Sequence, residues 1–106
     1  MDDVTPEQVA EMQDAQLVDV REDYEWDAGR IEGARHISLG AVAASAASIE
    51  RDRPVVFYCR TGARSGMATQ AFRKAGYDAY NMAGGLERWA AEGRPLEPAD
   101  GTVAAH

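Results

Sequence analysis

Residues 55–59, Val-Val-Phe-Tyr-Cys, form an apolar run with no polar alternation, directly after Pro54. A run of this kind is expected of a strand buried on both faces, as in the middle of a parallel sheet covered by helices. Helical and extended patterns alternate around it. Thr5 with Pro6 and Gln8 predicts a helix over 5–12, because a threonine N-cap, a proline at the first position and a glutamine at N3 satisfy orphan amides. Residues 16–20, QLVDV, read as a short strand. Residues 21–29 are mostly charged and polar, a loop or short helix closed by Gly29. Further strands are expected at 34–39 and 78–82, and a short alanine-rich helix at 41–50 with Val42, Ala46 and Ile49 on one face.

After the central run, Met67, Ala68, Ala71, Phe72 and Ala75 recur at helical spacing, predicting a helix over 63–75 that packs this stripe on the sheet and stops at Gly76. A last helix is expected over 84–93, with Leu86, Trp89 and Ala90 on one face, before Pro95. Strands separated by helices imply an α/β fold of one domain, a central parallel sheet flanked by helices on both faces. At 106 residues the chain has room for one core. Residues 1–96 are assigned to it and 97–106 to a flexible C-terminal tail.

Eleven Lys and Arg against 18 Asp and Glu give a net charge of −7, which argues against nucleic acid and anionic membranes as partners. No apolar run approaches the ~20 residues of a membrane span, and the acidic N-terminus lacks a secretory pattern, so a soluble, cytoplasmic protein is expected, and with nothing in the sequence suggesting a dedicated interface, a monomer. The single cysteine excludes an internal disulfide, a C-x-x-C pair and a zinc site built from several thiolates.

Cys59 sits where the central strand hands over to a helix, and in parallel α/β sheets ligands bind beyond the carboxyl ends of the strands. Between strand and helix the amides of Arg60, Thr61, Gly62, Ala63, Arg64 and Ser65 lack helical acceptors and can curl about one point, an anion-binding nest. Amides, helix dipole and two guanidinium groups all favour a thiolate at that point. Gly62 allows a positive φ, Ala63 leaves room for a ligand, and Thr61 and Ser65 add hydroxyls. The competing reading is a cysteine that fills the core. Two arginines, a glycine and two hydroxyls within six residues have no packing purpose and tilt against it.

The segment CRTGARS, residues 59–65, resembles the active-site loop of single-domain rhodaneses, the thiosulfate sulfurtransferase family. Residues 17–40, LVDVREDYEWDAGRIEGARHISLG, are similar to that family's first signature, and residues 81–96, NMAGGLERWAAEGRPL, to its last. The likeness covers the chain apart from its ends. It implies a rhodanese-like domain in which Cys59 is the catalytic nucleophile, taking a sulfane sulfur from thiosulfate or a related donor and passing it as a persulfide to cyanide or another thiophilic acceptor. The amides of residues 60–65 would bind the sulfur, and Arg60 and Arg64 the anionic donor. No metal or cofactor is needed, and a sulfur-carrier protein is a possible partner. Arg30, Glu32 and Ser38 depart from the family's usual His, Pro and Pro, and Arg30 is a candidate extension of the anion-binding surface.

Two alternatives belong to other classes. A cysteine phosphatase or arsenate reductase would place five residues between cysteine and arginine, whereas Cys59 and Arg64 enclose four. A docking module of the same fold would be expected to lose the cysteine, although a persulfide relay serving one sulfur-trafficking partner would keep it. Asp19 and Arg21 are read as scaffold, His36 as a packed, hydrogen-bonded histidine, and Tyr24, Trp26 and Trp89 as packing residues, with a rim position open to Trp26. Gly84 and Gly85 are read as starting the last helix and as letting its loop approach the cysteine loop closely.

Overall fold

The computed structural model describes residues 2–106. Its strands are β1 (Asp3–Val4), β2 (Gln16–Asp19), β3 (Arg35–His36), β4 (Val55–Tyr58) and β5 (Ala79–Met82). They form one sheet in the order β1-β5-β4-β2-β3, with every pairing parallel. The apolar run therefore lies in the middle, as expected, with all four residues of β4 buried. The helices are α1 (Pro6–Glu11), α2 (Asp23–Ala28), α3 (Leu39–Val42), α4 (Ala63–Lys74) and α5 (Gly85–Ala91). Among the described residues no helix is long and apolar enough to cross a membrane.

Strand periodicity divides β4 between two apolar layers. Val55, Phe57 and Cys59 join Ala68, Phe72 and Tyr77 on one side, where the Phe72 ring lies 4.9 Å from Phe57 and 4.8 Å from Tyr77. Val56 and Tyr58 join Val9, Met82, Leu86 and Trp89 on the other. Covering both faces leaves the carboxyl ends of the strands as the place where backbone amides can face a ligand. Thr5 caps α1 through the expected reciprocal pair, Gln8 N to Thr5 Oγ1 at 3.1 Å and Thr5 N to Gln8 Oε1 at 2.8 Å.

Several expectations are corrected. The two-residue β1 carries no sequence pattern of its own and exists because Asn81 N and Ala83 N donate to Asp2 O and Val4 O. The helix expected over 41–50 is split into α3 and a single 3₁₀ turn at Ala46–Ser48. The Ser48 hydroxyl donates to Ser45 O at 2.7 Å, a local side-chain bond that competes with helical continuation. In α4 the buried set is Ser65, Ala68, Thr69 and Phe72, while Met67 is 64% exposed and Ala71 and Ala75 are also exposed. The buried positions keep the i, i+3, i+4, i+7 spacing of one helical face, but that face is rotated to bring Ser65 inward.

Tyr24 is 53% exposed and does not pack in the core. Its hydroxyl instead donates to Ala105 O at 3.1 Å, one of several ties that lay residues 97–106, expected as a flexible tail, back against the end of α2. Glu97 and Arg30 exchange backbone bonds of 2.7 and 3.0 Å, Thr102 N donates to Ala28 O at 2.8 Å, and Val103 joins the second apolar layer. This crossing also explains Gly29: its backbone is extended, and a Cβ there would meet the Thr102 backbone.

Candidate active site

Cys59 follows the last residue of β4, 1% exposed, and the chain reverses over Arg60–Gly62 into α4. Gly62, the N-cap, has φ +106° and ψ −7°, a left-handed conformation in which any other residue is strained. The reversal folds the first amides of the turn back onto the side chain that precedes them. Gly62 N donates to Cys59 Sγ at 3.1 Å, and the Ser65 hydroxyl lies 3.4 Å from the same sulfur. Burial of the sulfur works against ionisation, but the Ser65 hydroxyl and the amides of Ser65, Gly62 and Thr61 outweigh it and hold the thiol below the ordinary cysteine value. Thr61 and Ala63 stand exposed at the mouth of the loop.

The carbonyls of this turn are satisfied from the second glycine-bearing loop. Leu86 N donates to Cys59 O at 2.8 Å and Glu87 N to Arg60 O at 3.0 Å, so the free amides at the start of α5 cap the cysteine loop from outside. Gly84 and Gly85 have φ of +77° and +61°, and a Cβ on Gly85 would strike the Arg60 carbonyl and stand 2.6 Å from Cys59 O. Both parts of the glycine reading are therefore met: the pair starts α5 and permits the close approach.

The arginines are used differently from the expectation that they face an anion freely. Arg64 makes a two-pronged ion pair with Glu25, Nη1 to Oε1 at 2.8 Å and Nη2 to Oε2 at 2.9 Å. Arg60 Nη2 pairs with Glu87 Oε2 at 3.0 Å. The depression of the thiol thus rests on the Ser65 hydroxyl and on backbone amides, with both guanidinium groups already charge-paired. Arg64 still feels the sulfur: its pKa is held up first by the Glu25 hydrogen bond and, more weakly, by the negative charge of Cys59.

Two residues of this assembly escaped the sequence reading. Glu25 is fully buried in α2, where its Oε1 also accepts from Glu22 N at 3.0 Å. The signal was there in the Glu22-x-x-Glu25 spacing of a capping box, inside a segment otherwise too polar to suggest burial. Burial pushes the Glu25 carboxyl up, but Arg64 and the Glu22 amide outweigh it and hold the group below the ordinary glutamate range. Asn81 of β5 accepts from the Ser65 hydroxyl at 2.6 Å and donates to Gly62 O at 3.2 Å. A lone polar residue in a short strand carries no pattern that would have marked it.

The residues read as scaffold do pack as scaffold. Arg21 and Asp19 are both fully buried and paired at 2.6 Å, and Arg21 Nη2 also donates to Gly29 O at 2.7 Å. His36 Nε2 is 2.7 Å from Arg21 O, and its ring stacks on Trp26 at 5.0 Å. Arg30 is not directed to the loop: its guanidinium lies over the Trp26 ring at 4.8 Å and donates to Trp26 O at 3.0 Å.

Residues 5–92 match the family described as Rhodanese-like domain. An uncharacterized protein of Bacillus subtilis, YqhL, is 45% identical over 76 residues, 71% of this chain; the match spans 60% of that relative, less than two thirds of its length. The thiosulfate sulfurtransferase GlpE of Pseudomonas aeruginosa is 37% identical over 100 residues, covering 92% of this chain and 87% of its own. Among solved structures, a rhodanese-related protein from Thermoplasma volcanium superposes with a TM-score of 0.86 at 25% identity, over 91% of this chain and 97% of the other. A family match that runs through strands β2 to β5 and both loops around Cys59, with relatives of this identity and coverage, establishes that the chain belongs to the rhodanese-like domain family.

Proposed function

We propose that the protein is a sulfurtransferase in which Cys59 carries sulfane sulfur as a persulfide. The observation that carries this reading is the convergence of Gly62 N and the Ser65 hydroxyl on one buried sulfur, in a turn whose amides stabilise negative charge. The Cys59 thiolate attacks the outer sulfur of thiosulfate, the S–S bond of the donor breaks, and sulfite leaves with the bonding electron pair. A nucleophilic acceptor such as cyanide then attacks the terminal sulfur of the persulfide and leaves as thiocyanate, restoring the thiolate. No second cysteine and no general base are required in this reading, because the groups around Cys59 favour its ionised form and the acceptor supplies its own electron pair.

In this reading the amides of residues 60–65 hold the transferred sulfur, with Thr61 and Ala63 at the open mouth of the loop. Arg60 and Arg64 supply positive potential to the incoming dianion while remaining paired to Glu87 and Glu25. That pairing favours a second reading, in which a persulfide of low charge, presented by a small thiol or a sulfur-carrier protein, is the better donor. Incubation with thiosulfate should add the mass of one sulfur atom to the protein, and cyanide should remove it as thiocyanate. Cys59→Ser should do neither, and thiocyanate formation retained in that variant would overturn the proposal. Arg60→Ala and Arg64→Ala then separate the donors, since only an anionic donor should show a raised KM.

A further inference from the structure

The Ser65 hydroxyl stands between two acceptors. Its oxygen is 2.6 Å from Asn81 Oδ1 and 3.4 Å from Cys59 Sγ. A hydroxyl has one proton and serves one acceptor at a time. The Asn81 amide, only 9% exposed, has little choice of orientation. Its Nδ2 faces Gly62 O at 3.2 Å and Asp3 Oδ1 at 3.4 Å, neither of which donates, so its carbonyl oxygen is the atom left for Ser65.

We propose that Asn81 is a positioning residue that sets the basicity of the Cys59 sulfur by competing with it for the single Ser65 proton. With Cys59 as a thiol, the S–H donates to Ser65 Oγ and the Ser65 O–H donates to Asn81 Oδ1, and every group is satisfied. With Cys59 as a thiolate, Ser65 must turn to the sulfur and leave a buried Asn81 oxygen unpaired, which costs a hydrogen bond. The amides of the turn are fixed by the backbone and cannot be drawn off in this way, so the hydroxyl is the adjustable donor.

The competition has a use. A thiolate stabilised too well is a weak nucleophile, and attack on a sulfur–sulfur bond is fastest when the thiol pKa lies near the ambient pH. Asn81 offsets part of what the amide nest does. The charged groups around the loop are Arg60, Glu87 of α5, Arg64 of α4, Glu25 of α2 and Asp3 of β1. Of these, Asp3 bonds to Asn81 and is exposed to water, and Gly62 O also accepts from Gly66 N at 3.0 Å.

This inference deepens the proposed function, because the same sulfur is the nucleophile there. It is read by a measurement that needs no sulfur donor: the rate of alkylation by iodoacetamide as a function of pH, in wild type, Asn81→Leu, Asn81→Ala, Ser65→Ala and the double variant Ser65→Ala with Asn81→Leu. Failure of sulfur transfer leaves that titration standing, and failure of the titration leaves the persulfide assay standing. Releasing the Ser65 proton should lower the thiol pKa by about one unit in both Asn81 variants, a tenfold gain in ionisation. Ser65→Ala should raise it, and the double variant should match Ser65→Ala alone. The smaller Asn81→Ala serves if leucine prevents folding. An unchanged or raised thiol pKa in a folded Asn81 variant, or an equal fall in the Ser65→Ala background, would overturn the proposal.

Discussion

β2 and β4 are hydrogen-bonded neighbours that stop at the same end of the sheet, Asp19 opposite Tyr58, and the chain leaves them in opposite ways. After β2 the polar groups close on each other. Asp19 accepts from Arg21 N at 2.9 Å and from its side chain, Arg21 reaches on to Gly29 O, and His36 covers the Arg21 carbonyl. After β4 the amides and the Ser65 hydroxyl gather on a sulfur instead. Equal burial at the two strand ends thus serves different ends: the first consumes its hydrogen bonds internally, and the second directs them at an atom that can change its bonding.

The contrast predicts where substitutions act. Asp19→Asn removes the charge opposing a fully buried arginine, and breaking such a pair costs about 3–5 kcal/mol. Urea unfolding should show that loss, while the turnover per folded molecule stays near wild type. A collapse of turnover in the folded fraction would show that the β2 end belongs to the chemistry.

Glu25 bridges the two regions, because it lies in the helix after β2 and grips Arg64 of the cysteine loop. Its carboxyl is depressed in the folded state, so its stabilisation is present above the ordinary glutamate value and is lost as the pH falls through the lower folded value. Glu25→Gln should cost about 1.5–3 kcal/mol at neutral pH, the worth of hydrogen bonds to a charged group. Its stability should also fall less steeply than that of wild type on acidification. Parallel stability curves for the two proteins would mean that the pair contributes nothing specific.

Gly85→Ala tests the contact between α5 and the Cys59 turn. A left-handed non-glycine residue costs roughly 1–2 kcal/mol, and the added methyl pushes on the Arg60 carbonyl. Thermal melting should register that cost, together with a fall in sulfur transfer larger than the stability loss explains. Full activity in the variant would mean that the α5 cap does not position the turn.

How much of this could be read from the chain depends on whether the cause is local. The apolar run into Cys59, the Thr5–Gln8 capping pair and the glycines at 62, 84 and 85 act through backbone rules that hold wherever such residues occur, so β4, α1 and the placing of the sulfur in a turn of amides were legible. The pairing of Arg64 with Glu25 spans 39 positions and that of Ser65 with Asn81 spans 16. Whether an arginine faces a ligand or a carboxylate is set by which helix the sheet brings beside it. The rotated face of α4 has the same origin: spacing determined that one stripe would be buried, and the packing of Ala68 and Phe72 with Phe57 and Tyr77 accompanies burial of the stripe that carries Ser65, leaving Met67 to solvent. Sequence determines what a segment prefers over a few residues, and the packing of distant segments decides which of its polar groups meet.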